Sequence, residues 1–167
     1  RRKFLGVSIL AQRGKRGGGR ACGTMAGSGW SAGAGIQADL KTFAALGVYG
    51  TTAVTAVTSQ NTSGVQDVLA VPPQTVRSQI DAVAWDVSLF AVKTGMLGTA
   101  DVTRMVAEAL TSLRLPNLVV DPVMSASGTG QRTLLEPEAV AILKTQLLPM
   151  ATVGATGWPY VQHRGGP

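Results

Sequence analysis

The stretch "GSGWSAGAGIQADLKTFAALGVYGTTAVTAVT", residues 27–58, changes character twice, and its three parts decide the fold class. Gly27–Gly35 holds four glycines and two alanines. Such a turn, almost free of side chains, lets the backbone come close to whatever it faces. Ile36, Leu40 and Phe43 then recur on one helical face, with Gly47 as a stop. Val48 to Thr58 is a β-branched run, "VYGTTAVTAVT", that reads as a buried strand. A helix leading into a strand that is apolar on both faces points to a parallel sheet covered by helices.

The same unit recurs downstream. Pro72 and Pro73 open a second helix with Val76, Ile80 and Val83 on one side, and "LFAVKTG" from Leu89 follows as a strand. A third helix carries Val102, Val106, Ala109 and Leu113, and Pro116 stops it before the strand "NLVVDP", 117–122. Pro137 starts a fourth helix with Val140, Leu143 and Leu147 in register, and "MATVGA" from Met150 supplies one more strand. "RACGTMA", 20–26, is a weak strand. Parallel strands are expected near 48–58, 89–93 and 117–121, joined by right-handed crossovers.

Composition fits a globular chain: of 167 residues, 45% are hydrophobic and 14% charged. No apolar run reaches the roughly 18 residues of a membrane helix. The single cysteine, Cys22, forms no internal disulfide, which makes the cytoplasm the default compartment. The formal charge of +6 is uneven. Seven of the fifteen bases lie in the first twenty residues, leaving eight bases against nine acids beyond them. Residues 1–20 therefore read as a basic, disordered arm, and neither nucleic acid nor membrane is expected as a partner.

In a parallel sheet the ligand site lies outside the carboxyl ends of the strands. Four segments fall there: the glycine turn, "TSQNTSG" at 58–64, "KTGML" at 93–97 and "DPVMSASGTGQ" at 121–131. Gly27, Gly29 and Ala32 fit a loose dinucleotide spacing, but residues 48–58 supply no acid for a ribose. Glycines serving only close packing are a further alternative.

Several of these segments agree in order and spacing with one family. "GAGIQADLKTFAALGVYG", "QNTSGVQ", "VKTGMLG", "LPNLVVDPVM" and "LLEPEAV" together resemble the hydroxymethylpyrimidine/phosphomethylpyrimidine kinases of thiamine biosynthesis, in the ribokinase-like superfamily. The resemblance implies an α/β fold, a ribokinase-like three-layer α/β/α sandwich with a mostly parallel sheet, truncated at the carboxyl end. It implies three regions: the arm 1–20, a partial kinase domain 21–153 and a divergent tail 154–167. ATP and Mg²⁺ would serve as cosubstrates in phosphorylating 4-amino-5-hydroxymethyl-2-methylpyrimidine and its monophosphate, with impaired activity here and a homo-oligomer once completed. Gly27, Ala34 and Gly35 carry over as pocket residues against the pyrimidine. Gln60 carries over as the carboxamide that pairs with its edge, and Met96 and Val123 as apolar walls. Asp121 carries over to the phosphate or metal side, with an N-cap as its plainer role, and Lys93 either neutralises phosphate or is solvated. The catalytic segment of the family has no counterpart here, so the catalytic and metal residues are unknown. A pyridoxal-type kinase of the same superfamily and a non-catalytic pyrimidine-binding remnant are the alternatives.

The departures are specific. The aspartate usual in the family's opening turn is replaced by Gly29, Trp30 intrudes, and Ala32 stands for a glycine. The family's metal-shell segment falls on "ATGWPY", where Gly157 and Tyr160 replace both polar residues and Pro159 remains. The loop 125–133 is expected to be about two residues longer than usual. His163, the only histidine, lies in a tail without family pattern and reads as solvated.

Overall fold

The computed structural model describes residues 20–29, 33–61, 64–125, 133–155 and 161–163. The basic arm up to 19, Trp30, Ala32, the loop 126–132, the segment 156–160 and the side chain of His163 lie outside the described residues.

Strand β1 (Ala21–Gly29) lies in the interior of the sheet, between β2 (Tyr49–Asn61) and β4 (Leu89–Thr94). Nearly all of it is buried. Its alanines, glycines and threonine are poor strand formers by propensity, but two covered faces and two paired neighbours outweigh propensity. Gly27 and Gly29 therefore lie inside the strand, not in the turn the sequence suggested. β5 (Leu118–Val120) and β6 (Val153–Ala155) continue the parallel set beyond β4. The expected parallel strands are thus all present.

Two strands are antiparallel. β2 runs past Thr58 to Asn61 and pairs with the antiparallel β3 (Gly64–Ala70), so 58–61 and Gly64 are strand residues. At the other side β7 (Val161–His163) pairs against β6. The sheet of seven strands has the order β3-β2-β1-β4-β5-β6-β7.

Helix α1 (Gly35–Ala45) covers one face, where Phe43 packs with Cys22, Val48, Ala91, Val119 and Val153. It ends as expected: Gly47 takes φ +68, a conformation other residues resist. Helices α2 (Pro73–Asp86), α3 (Ala100–Ser112) and α4 (Pro137–Ile142) cover the other face over Met25, Ala53, Val92, Leu118 and Val120. Odd and even strand residues thus serve opposite cores, which makes three layers. α4 continues through a π-helical turn, Leu143–Leu147, into α5 (Leu148–Met150). Pro149 has no N–H to offer an i−4 carbonyl, so the wider turn falls just before it. No helix among the described residues is long and apolar enough to cross a membrane.

Candidate functional site

β1, β2, β4 and β5 are parallel neighbours, so their carboxyl ends share one edge. The chain places β2 on one side of β1 and later returns to place β4 on the other. The helix after β1 lies on one face and the helix after β4 on the opposite one. That reversal opens a crevice between β1 and β4, where open α/β sheets bind ligands.

A charged cluster sits at this point. Lys93 Nζ lies 3.2 Å from Asp39 Oδ2 and 3.6 Å from Asp121 Oδ2. Thr24 Oγ1 donates to the same Asp39 oxygen at 2.6 Å. The lysine and Asp39 side chains are only 9% and 6% exposed, so Lys93 is not the solvated lysine that the sequence left open. Two carboxylates share its charge. Asp39 occupies the sheet-facing side of α1 between Ile36 and Phe43, a position that tolerates a carboxylate only because it is paired. Asp121 is more open, at 21%, and stands just beyond the end of β5. The chain after it is irregular from Pro122 to Met124, with no helix beginning there, so it caps no helix.

Beside the cluster, Gly27, Gly35 and Met96 meet. A Cβ on Gly27 would come within 3.3 Å of Met96 Cε. Gly35 opens α1 at φ +67, and a Cβ there would strike the Gly27 carbonyl. Gly35 is required by this close approach, whereas at Gly27 the flexible end of Met96 would have to give way. Ala34 precedes Gly35 as an extended N-cap whose side chain makes no capping bond. Met96 is buried, and its carbonyl accepts from Thr55 Oγ1 at 2.5 Å. Val123 is half-buried past Asp121, whose carbonyl accepts from its N–H at 2.9 Å.

Gln60 stands apart from this group. It lines an open cleft of about 490 Å³ with Ser28, Gln37, Val57, Thr58, Ser59, Asn61 and Gln66. Apart from Val57, every lining residue is polar and uncharged. Gln37 Oε1 accepts from the Gly29 N–H at 3.2 Å, while Gln37 Nε2 donates to Ser28 Oγ at 2.7 Å. Gly29 is tightly placed: a Cβ would lie 2.8 Å from Thr58 Oγ1 and 3.3 Å from Gln60 Oε1. The six carried-over pocket residues thus fall into two groups, Gln60 in the cleft and the other five around the β1–β4 crevice. Asp39, Ser28 and Gln37 were missed. The signal was present for two of them, since "GIQADLKT" puts an amide in the first helical turn and an acid on its apolar face.

Fold and rim together define a ribokinase-like α/β protein, with its ligand edge at the carboxyl ends of the parallel strands. Residues 30–157 match the profile of the phosphomethylpyrimidine kinase family. The chain belongs to that family. It is 48% identical over 130 residues to the hydroxymethylpyrimidine/phosphomethylpyrimidine kinase of Haemophilus influenzae, covering 78% of this chain and 48% of the relative. The chain thus spans about half the length of that relative. The crystal structure of phosphomethylpyrimidine kinase from Clostridium difficile superposes with a TM-score of 0.74 at 42% identity, covering 81% of this chain and 58% of that one. Pyridoxal kinase from Staphylococcus aureus, in complex with AMP-PCP and pyridoxal, reaches 0.71 at 35% identity, with 84% and 49% covered.

Proposed function

We propose that this chain forms the pyrimidine-holding part of an ATP-dependent kinase that phosphorylates 4-amino-5-hydroxymethyl-2-methylpyrimidine and then its monophosphate, a step of thiamine biosynthesis. The supporting observation is the separation of two environments on one rim. Seven uncharged polar side chains line the cleft at Gln60, whereas Asp39, Lys93 and Asp121 form a charged cluster beside the β1–β4 crevice. A neutral aminopyrimidine suits the first. Its edge offers a donor beside an acceptor, the complement of a carboxamide. Gly27, Ala34, Gly35, Met96 and Val123 would form the wall toward the second.

Asp121 is the residue fitted to the phosphate and metal side, being the most exposed acid of the cluster. Among the described residues no group of three His, Cys, Asp or Glu side chains could hold a metal ion. Asp121 therefore fits Mg²⁺ as a single carboxylate ligand, with phosphate oxygens and water supplying the rest, which is the usual way nucleotide sites hold this ion. When bound, Mg²⁺ with ATP supplies the phosphoryl group and neutralises its charge. The protein's own part is to orient the alcohol and keep Asp121 in place.

Calorimetry of the purified chain with the pyrimidine alcohol tests the reading. Binding is expected, and Gln60→Ala should weaken it by about 1 to 3 kcal/mol by leaving the ligand's polar edge unpaired. Absence of binding by the parent chain, or preference for pyridoxal, would overturn the assignment.

A further inference from the structure

We infer that Ser28 presents a hydrogen-bond donor of fixed direction to the cleft, which reads an acceptor of the ring-nitrogen class on the bound molecule, and that Gln37 is the positioning residue that sets this direction. The inference rests on the pyrimidine reading above and adds a specificity contact to it.

The direction follows from a chain of forced choices. A backbone N–H can only donate, so the Gln37 atom that meets Gly29 N at 3.2 Å must be the carbonyl oxygen Oε1. The other end of the carboxamide is then Nε2, which can only donate, and its partner at 2.7 Å is Ser28 Oγ. Ser28 Oγ is thereby the acceptor in that bond. Its own proton must point elsewhere, and among the described residues no acceptor takes it. The backbone beneath is held as well, since the Ser28 carbonyl accepts from Thr58 Oγ1 at 3.2 Å. Ser28 and Gln37 both line the cleft that Gln60 lines. A molecule seated there meets a rotating hydroxyl whose rotation has been restricted in advance. An acceptor opposite Ser28 gains a bond. A C–H or N–H in the same place does not, and it strands the proton.

Calorimetry with 4-amino-5-hydroxymethyl-2-methylpyrimidine on the full chain separates the possibilities. Ser28→Ala should bind about three- to tenfold more weakly, the loss of one neutral hydrogen bond, while Ser28→Thr keeps the hydroxyl and should bind like the parent. Gln37→Glu is the sharper variant, because a carboxylate accepts at both oxygens. It takes the Gly29 N–H at one and draws the Ser28 proton to the other, away from the cleft. It should weaken binding about as much as Ser28→Ala does, and should weaken it no further when Ser28 is already alanine. Unchanged affinity in Ser28→Ala overturns the inference, as does an equal effect of Gln37→Glu in both backgrounds, which would indicate charge alone. Should the alanine variant fail to fold, Ser28→Cys, of similar volume but a weak donor, carries the same expectation. A parent chain that binds no pyrimidine fails the underlying reading itself, a result distinct from failure of the Ser28 contact.

Discussion

Lys93 illustrates how a residue's place can be read from sequence while its partners cannot. Its place at the end of a strand put it on the ligand edge, but the partner that fixes its role, Asp39, is 54 positions away on α1. Removing the ammonium would leave Asp39 buried with, among the described residues, only Thr24 to answer its charge. Lys93→Met should therefore destabilise the chain by about 3 to 5 kcal/mol, the usual consequence of an uncompensated buried charge. The double variant Asp39→Leu/Lys93→Met should recover most of that loss, because both charges leave together. Urea unfolding midpoints of the two decide the point, and a double variant no more stable than the single one would argue against a buried pair. The carboxamide at Gln60 was readable from its motif. The Asp39 carboxylate was not, because an acid within an amphipathic run reads as a lapse in the pattern until its partner is known.

At the level of elements, periodicity located the helices and the buried strands, since their signal is local. It failed where neighbours decide. β1 reads only as a weak strand over 20–26, with Gly27 and Gly29 in the turn after it, and it becomes a full interior strand because β2 and β4 pair with both its edges. β3 went unread because "GVQDVLA" has little alternation, and its antiparallel pairing with β2 makes it a strand. The helical stretch after Pro137 was read in register, but Pro149 inserts a π turn that no apolar spacing announces. Elements are also tied by side chains distant in sequence. Glu136 Oε2 accepts from the Ala100 N–H at 2.8 Å, joining the start of α4 to the amino end of α3. Thr99 caps the same end through the Val102 N–H at 3.2 Å. Glu136→Ala should cost about 1 kcal/mol, the size of a lost cap. A calorimetric scan checks this, and an unchanged melting temperature would show that Thr99 alone suffices.

Across the whole molecule, the two cores share the sheet, so β1 opens only when the layers separate. Cys22, 3% exposed in β1, reports on this. Burial pushes its thiol pKa up, against smaller opposing pulls from the Ala91 backbone and the Arg20 charge. A raised thiol pKa means less thiolate at a given pH, so alkylation should be strongly suppressed in the native chain at pH 8. It should accelerate in step with global unfolding as urea is added. Fast labelling without denaturant would mean that β1 is reached through a local opening. The strand order has a further consequence, in time. A ribosome completes β1 at Gly29 but does not begin β4 until Leu89, so at about 5 to 20 residues per second one edge of β1 waits about 3 to 12 seconds for its partner. From the completion of β2 at Asn61 until β4 arrives, the nascent chain carries β1 and β2 with that edge of β1 still open. A strand buried in the finished protein is thus one that needs shelter while the protein is being made.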